Sequence, residues 1–109
     1  MAHQFLVHER DDMVGVAVED ISPGDSVQGL FLNDGTMLSL PAQDEIPLGH
    51  KIALRDIAAG EEVKKYGVTI GEARQAIRAG AHVHVHNLRS VRWKASVLEE
   101  SGAAPAGAK

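Results

Sequence analysis

Three of the six histidines in this chain of 109 residues fall in one run, His82-Val83-His84-Val85-His86-Asn87. A β-strand sends successive side chains to opposite faces, so residues two apart line one face. Read as a strand, His82, His84 and His86 form a row of imidazoles. Val83 and Val85 then point the other way and anchor the strand to a core. Same-face neighbours lie roughly 6.5–7 Å apart at the backbone, close enough for two imidazoles to converge on one metal ion or one anionic ligand. The simpler alternative is a solvated face rich in histidine. A row of imidazoles ending in polar Asn87 favours a face turned to a ligand.

A further histidine precedes a lysine, in Leu48-Gly49-His50-Lys51, where the glycine lets backbone approach a ligand. Neutral imidazole ligates divalent metals and exchanges protons near neutral pH. His50, His84 and His86 are therefore the catalytic candidates, and His84 and His86 the candidate metal ligands. His82 shares their face but begins the strand, and ranks below them. Lys51 is the candidate for holding an anionic ligand, with a solvent-facing lysine as its alternative. Asn87 as a polar orienter and Tyr66 through its hydroxyl complete the substrate-binding set, although a lone tyrosine at a strand end also serves packing. His3 and His8 read as surface residues. There is no cysteine and no second dense group of carboxylates to close a metal site, so a site open to a partner fits best.

Composition narrows the class. A chain of this length makes one domain, and with 44% apolar but only 4% aromatic residues its core must be aliphatic. A formal charge of −4 argues against nucleic acid as a partner, because phosphate binding calls for a basic excess. Lack of cysteine excludes disulfides and fits a reducing cytoplasm. The start Met1-Ala2-His3-Gln4 lacks the pattern of a signal peptide, and no apolar stretch is long enough to span a bilayer. The expectation is a small soluble cytoplasmic domain, with no membrane partner.

Along the chain, strands are expected at His3–Glu9 and at Met13–Glu19, where Val14, Val16 and Val18 alternate onto one face. Val27–Leu32 and Thr36–Leu40 should form a hairpin around Asn33-Asp34-Gly35, whose Asp-Gly suits positive φ. Pro41–Pro47 reads as a polar loop, His50–Leu54 as a strand, Asp56–Glu62 as a turn and Val63–Tyr66 as a strand. Thr69-Ile70-Gly71-Glu72 matches a capping box, and Ile70, Ala73 and Ile77 recur at helical spacing before Gly80. That predicts one short helix near residues 70–79. His82–Leu88 follows as the histidine strand. Arg89–Leu98 carries Trp93 and a basic cluster of Arg89, Arg92 and Lys94, which docks on a partner or is simply solvated. The domain is expected to span residues 1–98, with a disordered tail over 99–109.

One internal pattern recurs. Ala17-Val18-Glu19-Asp20-Ile21-Ser22-Pro23-Gly24-Asp25-Ser26-Val27 aligns with Ala53-Leu54-Arg55-Asp56-Ile57-Ala58-Ala59-Gly60-Glu61-Glu62-Val63, and Ile77 to Val83 echoes it. Each copy reads as an apolar plug, a turn with glycine at positive φ, and an apolar return into a strand. The copies are too few and unequal for a solenoid. They suit a mainly β unit of short strands with recurring corners.

The Asp-Ile-x-x-Gly corners, the segment Ile46-Pro47-Leu48-Gly49-His50-Lys51-Ile52-Ala53-Leu54, then Lys65-Tyr66-Gly67, Ile70-Gly71 and the histidine run through Leu88 resemble the SAF domain of altronate and galactarate dehydratases. The likeness extends from about His8 to Leu88. It implies a β-clip fold and a much larger catalytic partner that eliminates water from a sugar acid. It also implies a divalent metal such as iron(II), shared with that large subunit. No large domain is present in this chain. The chain is thus similar to the separate small subunit of split members, in the arrangement of (2R)-sulfolactate sulfo-lyase, which would be inactive by itself. The competing readings are a stand-alone SAF module that binds a carbohydrate acid or a protein without catalysis, and a structural homo-oligomer joined through strand edges.

Overall fold

Short apolar runs punctuated by turn residues become nine short strands in the computed structural model, which describes residues 3–66 and 68–90. They are β1 (Phe5–Val7), β2 (Val14–Ala17), β3 (Ser26–Phe31), β4 (Met37–Pro41), β5 (Lys51–Ala53), β6 (Glu62–Lys65), β7 (Val68–Ala73), β8 (His82–Val83) and β9 (Leu88–Ser90). One sheet has the order β4-β3-β1-β2-β5-β8 and the other β6-β7-β9. Strand β1 runs parallel to β3, and the other pairings are antiparallel. The mainly β expectation holds. So does the hairpin: Gly35 has φ of 77°, and Phe31 N–H donates to the Thr36 carbonyl at 2.9 Å across the turn.

The core has two parts. Phe5, Val7, Ile21, Val27, Ile46 and Ile52 belong to one, and Met13, Val14, Ile57, Val63, Ile77 and Val83 to the other. Strand β2 is central and feeds both parts, which corrects the single-faced valine alternation expected there. Val14 and Ala17 are buried, Val16 is half-buried and Val18 is exposed. The segment expected as a polar loop also contributes to the core, because Ile46 is fully buried.

Ile46 reveals that the corner pattern occurs four times. Ala17, Ala42, Ala53 and Ala73 each stand four residues before a buried isoleucine (Ile21, Ile46, Ile57, Ile77), and a glycine follows three residues later. Gly24, Gly49, Gly60 and Gly80 all have φ between 85° and 89°, the left-handed region that side chains with a Cβ disfavour. The corners associate in pairs. Ile21 and Ile46 exchange two backbone hydrogen bonds of 2.9 Å, and Ile57 and Ile77 exchange two of 2.7 and 2.8 Å. In each pair the glycine N–H of one corner donates to the alanine carbonyl of the other, at 2.8–2.9 Å in all four cases. An aspartate braces each pair: Asp20 Oδ1 accepts from Leu48 N–H and Asp56 Oδ1 from Ala79 N–H, both at 2.9 Å.

This geometry overturns the expected helix near residues 70–79. Val68–Ala73 is strand β7, and no helix occurs among the described residues. Ala73, Ile77 and Gly80 are the fourth corner, and their spacing imitates a helical face. Gly71 sits where β9 crosses closely, since a Cβ there would stand 2.5 Å from the Arg89 carbonyl oxygen. The expected continuous strand over His82–Leu88 is also corrected. The ladder stops after Val83, residues 84–87 turn, and Leu88–Ser90 joins the other sheet. Trp93, Arg92, Lys94, the 98/99 domain boundary and the C-terminal tail lie outside the described residues.

Candidate functional site

Two corners deliver the histidines. His50 follows Gly49 and leads into β5; His82 stands two residues after Gly80 and opens β8. These strands pair antiparallel with Lys51 opposite Val83 and Ile52 opposite His82. His50, Ile52, His82 and the position of His84 therefore share one face, while Val83 is fully buried on the other. Asp44 fixes the start of β8, its Oδ2 accepting from His82 N–H at 2.9 Å.

Asn87 shapes the rest. Its Nδ2 donates to the His82 carbonyl at 2.7 Å, and its Oδ1 accepts from His84 N–H at 2.9 Å. The His84 carbonyl in turn accepts from Leu88 N–H at 2.8 Å. The amide thus supplies bonds that a neighbouring strand would otherwise make, and the chain turns instead of extending. Asn87 is 4% exposed and Val85 70% exposed, so the valine expected in the core stands at the tip of the loop.

The imidazoles converge. His50 and His84 stack with centroids 4.2 Å apart at 22°, His50 and His82 lie 5.0 Å apart, and His82 and His84 5.5 Å apart. His86 tilts against His82 at 5.3 Å. One ligand nitrogen from each of His50, His82 and His84 lies within 4.8 Å of the others. His50 Nδ1 and His82 Nε2 are only 2.8 Å apart. Two imidazole lone pairs cannot face each other at that range, so one of the two nitrogens donates its N–H to the other. The His82 pKa is lowered by burial first and then by His50, His86 and His84, with Asp44 opposing. Burial also lowers that of His84, followed by His50, Lys51 and His86. Both rings are held toward the neutral form, the one that ligates metals. Three imidazoles on a partly open face suit zinc, iron, copper or nickel better than magnesium or calcium.

Among the sequence candidates, His50, His84 and His86 meet here, and Lys51 is close enough to influence His84. His82, ranked below these three, lies at the centre. Asn87 orients the loop through backbone bonds. Tyr66 belongs to the turn after β6, where it has φ of 58°, packs on His8 with centroids 3.8 Å apart, and has Lys65 Nζ over its ring. Those contacts do not include the histidine cluster. Asp44 was not anticipated, and no local motif signals it.

The result is a mainly β domain whose paired corners present a cluster of imidazoles with the donor set to hold a metal ion. The sequence profile of the altronate/galactarate dehydratase SAF domain matches residues 3–91, and the chain belongs to that family. Over 94 residues it is 46% identical to the alpha subunit of (2R)-sulfolactate sulfo-lyase from Chromohalobacter salexigens, covering 85% of this chain and 100% of that subunit. The corresponding subunit from Paracoccus pantotrophus is 41% identical over 61 residues, or 56% of this chain and 91% of that one. Altronate dehydratase of Escherichia coli is 43% identical over 87 residues, which cover 80% of this chain but 16% of the dehydratase. The chain thus matches a sulfo-lyase subunit end to end and a small part of a much longer dehydratase.

Proposed function

We propose that this chain is the small subunit of a two-subunit lyase that eliminates water or bisulfite from a sugar acid or related hydroxy acid. The observation that supports it most is the convergence of His50, His82 and His84 in a chain that matches a sulfo-lyase subunit over that subunit's whole length. The cluster is half a site. It offers imidazoles on an open face, and the large subunit supplies the rest of the enclosure.

Elimination β to a carboxylate requires that the carboxylate be held, that a proton leave the adjacent carbon, and that charge on the enediolate or leaving group be stabilised. A divalent ion such as iron(II), held by His50, His82 and His84 together with the large subunit, would supply that last effect as a Lewis acid. His86 stands outside the three-donor group and is the proton carrier. Lys51 binds the carboxylate. Asp44 and Asn87 keep His82 and His84 in place through backbone bonds.

Co-expression with a large dehydratase-like polypeptide tests the reading. The purified complex should turn over (2R)-sulfolactate, altronate or galactarate, and the small chain alone should not. Robust turnover by the isolated chain would overturn the division of labour, and a complex inert toward all three acids would overturn the lyase assignment.

A further inference from the structure

We propose that the groove beside His86 is an anion subsite that makes the enzyme select hydroxy acids bearing a second anionic group, and that Arg78 is its specificity-determining residue. The inference rests on the lyase reading above and adds the substrate class. The groove, of about 390 Å³, is lined by Gln43, Asp44, Gln75, Arg78, His86 and Asn87 among others. It adjoins the imidazole cluster through His86. His86 packs on His82, and Asp44 holds the His82 backbone. A small acid whose reacting carbons lie at the cluster therefore extends naturally into the groove.

The lining says what that extension carries. Arg78 presents a planar fork of donors that stays charged at any working pH and matches a carboxylate or sulfonate. It takes part in neither ion pair found among the described residues, which join Arg10 to Asp34 and Arg55 to Glu61. Arg74, nearby in sequence, is engaged differently, donating to the Val85 carbonyl at 3.0 Å. Gln43 and Gln75 add neutral amide donors. Asp44 makes the groove poor for a bare anion but suits an anion with hydroxyls beside it, since a carboxylate accepts from hydroxyl groups. With Lys51 at the reacting carboxylate, the site has two cations for two anionic groups. In a dicarboxylic sugar acid Arg78 would hold the far carboxylate; in a sulfonated acid it would hold the sulfonate.

Titrating the isotope-labelled chain with galactarate and with galactonate, acids of equal chain length and hydroxyl configuration that differ by one terminal carboxylate, tests this by NMR. Galactarate should shift the amides of Gln43, Arg78, Ala81 and His86 and bind at least ~10-fold more tightly than galactonate, the discrimination expected of one charge-assisted, two-pronged contact. Arg78→Ala should abolish the difference, Arg78→Lys should retain part of it, and Arg10→Ala should leave it intact. Equal affinities in the unchanged chain, a preference that survives Arg78→Ala, or no saturable binding would each overturn the subsite. None of these would touch the lyase reading, which turnover of the complex decides separately. Saturable, Arg78-dependent binding beside an inert complex would sustain the groove and remove the lyase.

Discussion

Replacing Asn87 with alanine removes the acceptor for His84 N–H and the donor to the His82 carbonyl, at 2.9 and 2.7 Å. Both bonds are partly buried, and an alanine methyl satisfies neither group. Leaving a buried backbone donor or acceptor unpaired costs roughly 1–3 kcal/mol, and partial access of water puts the pair at about 2–4 kcal/mol in total. For a domain of this size that lowers the melting temperature by roughly 8 °C or more. Asn87→Asp keeps the acceptor but sets a carboxylate oxygen against the His82 carbonyl at a 4% exposed position, so it should cost at least as much as alanine. Thermal unfolding of the three chains gives the order, and hydrogen exchange locates the effect: the His84 amide should exchange faster in Asn87→Ala. A loss below about 0.5 kcal/mol, the level of an unremarkable surface change, would refute the assignment of the loop's shape to this amide.

Acidification should destabilise the metal-free chain. His82 and His84 have lowered pKa values, so the folded state binds fewer protons than the unfolded chain. Their contribution is complete above the unfolded value of ~6.5 and is lost as pH falls through it toward the folded values. Denaturant midpoints should decline over that window, and His82→Gln with His84→Gln should flatten the decline; a midpoint that rises on acidification refutes it. Val83→Ala, which opens space beside a fully buried strand residue, should cost about 1–3 kcal/mol while turnover per folded complex is preserved. Loss of turnover at matched folded concentration would place Val83 in the chemistry instead.

Much of this was legible in the residues, and the misses share a cause. Alternating valines and Asp34-Gly35 announced strands and a hairpin because their requirements are local. Ala73 and Ile77 were read as helical because a four-residue separation satisfies both an α-helical face and the corner, where alanine receives the paired glycine's N–H. The copy around Ile46 is disguised by Pro47 and Leu48. Recognising it would have shown that His50 and His82 follow equivalent glycines and that their strands can pair. The valine alternation in 82–86 fits an extended strand equally well; only the reach of the Asn87 amide to two backbone groups decides for a turn, and that is a tertiary fact. Asp44 acts across 38 residues, beyond any local pattern.

The account's central claim is that the imidazole cluster works in catalysis rather than in folding. The most direct test is turnover of the reconstituted complex carrying His50→Gln and His84→Gln together, at matched folded concentration. The rings stack at 4.2 Å on the partly open face, opposite buried Val83, so their loss opens no core cavity. The variant should unfold near the parent's temperature, assemble with the large subunit and turn over the acid at least ~100-fold more slowly, the scale expected for lost acid–base or metal-holding groups. Turnover at the parent's rate would contradict the claim.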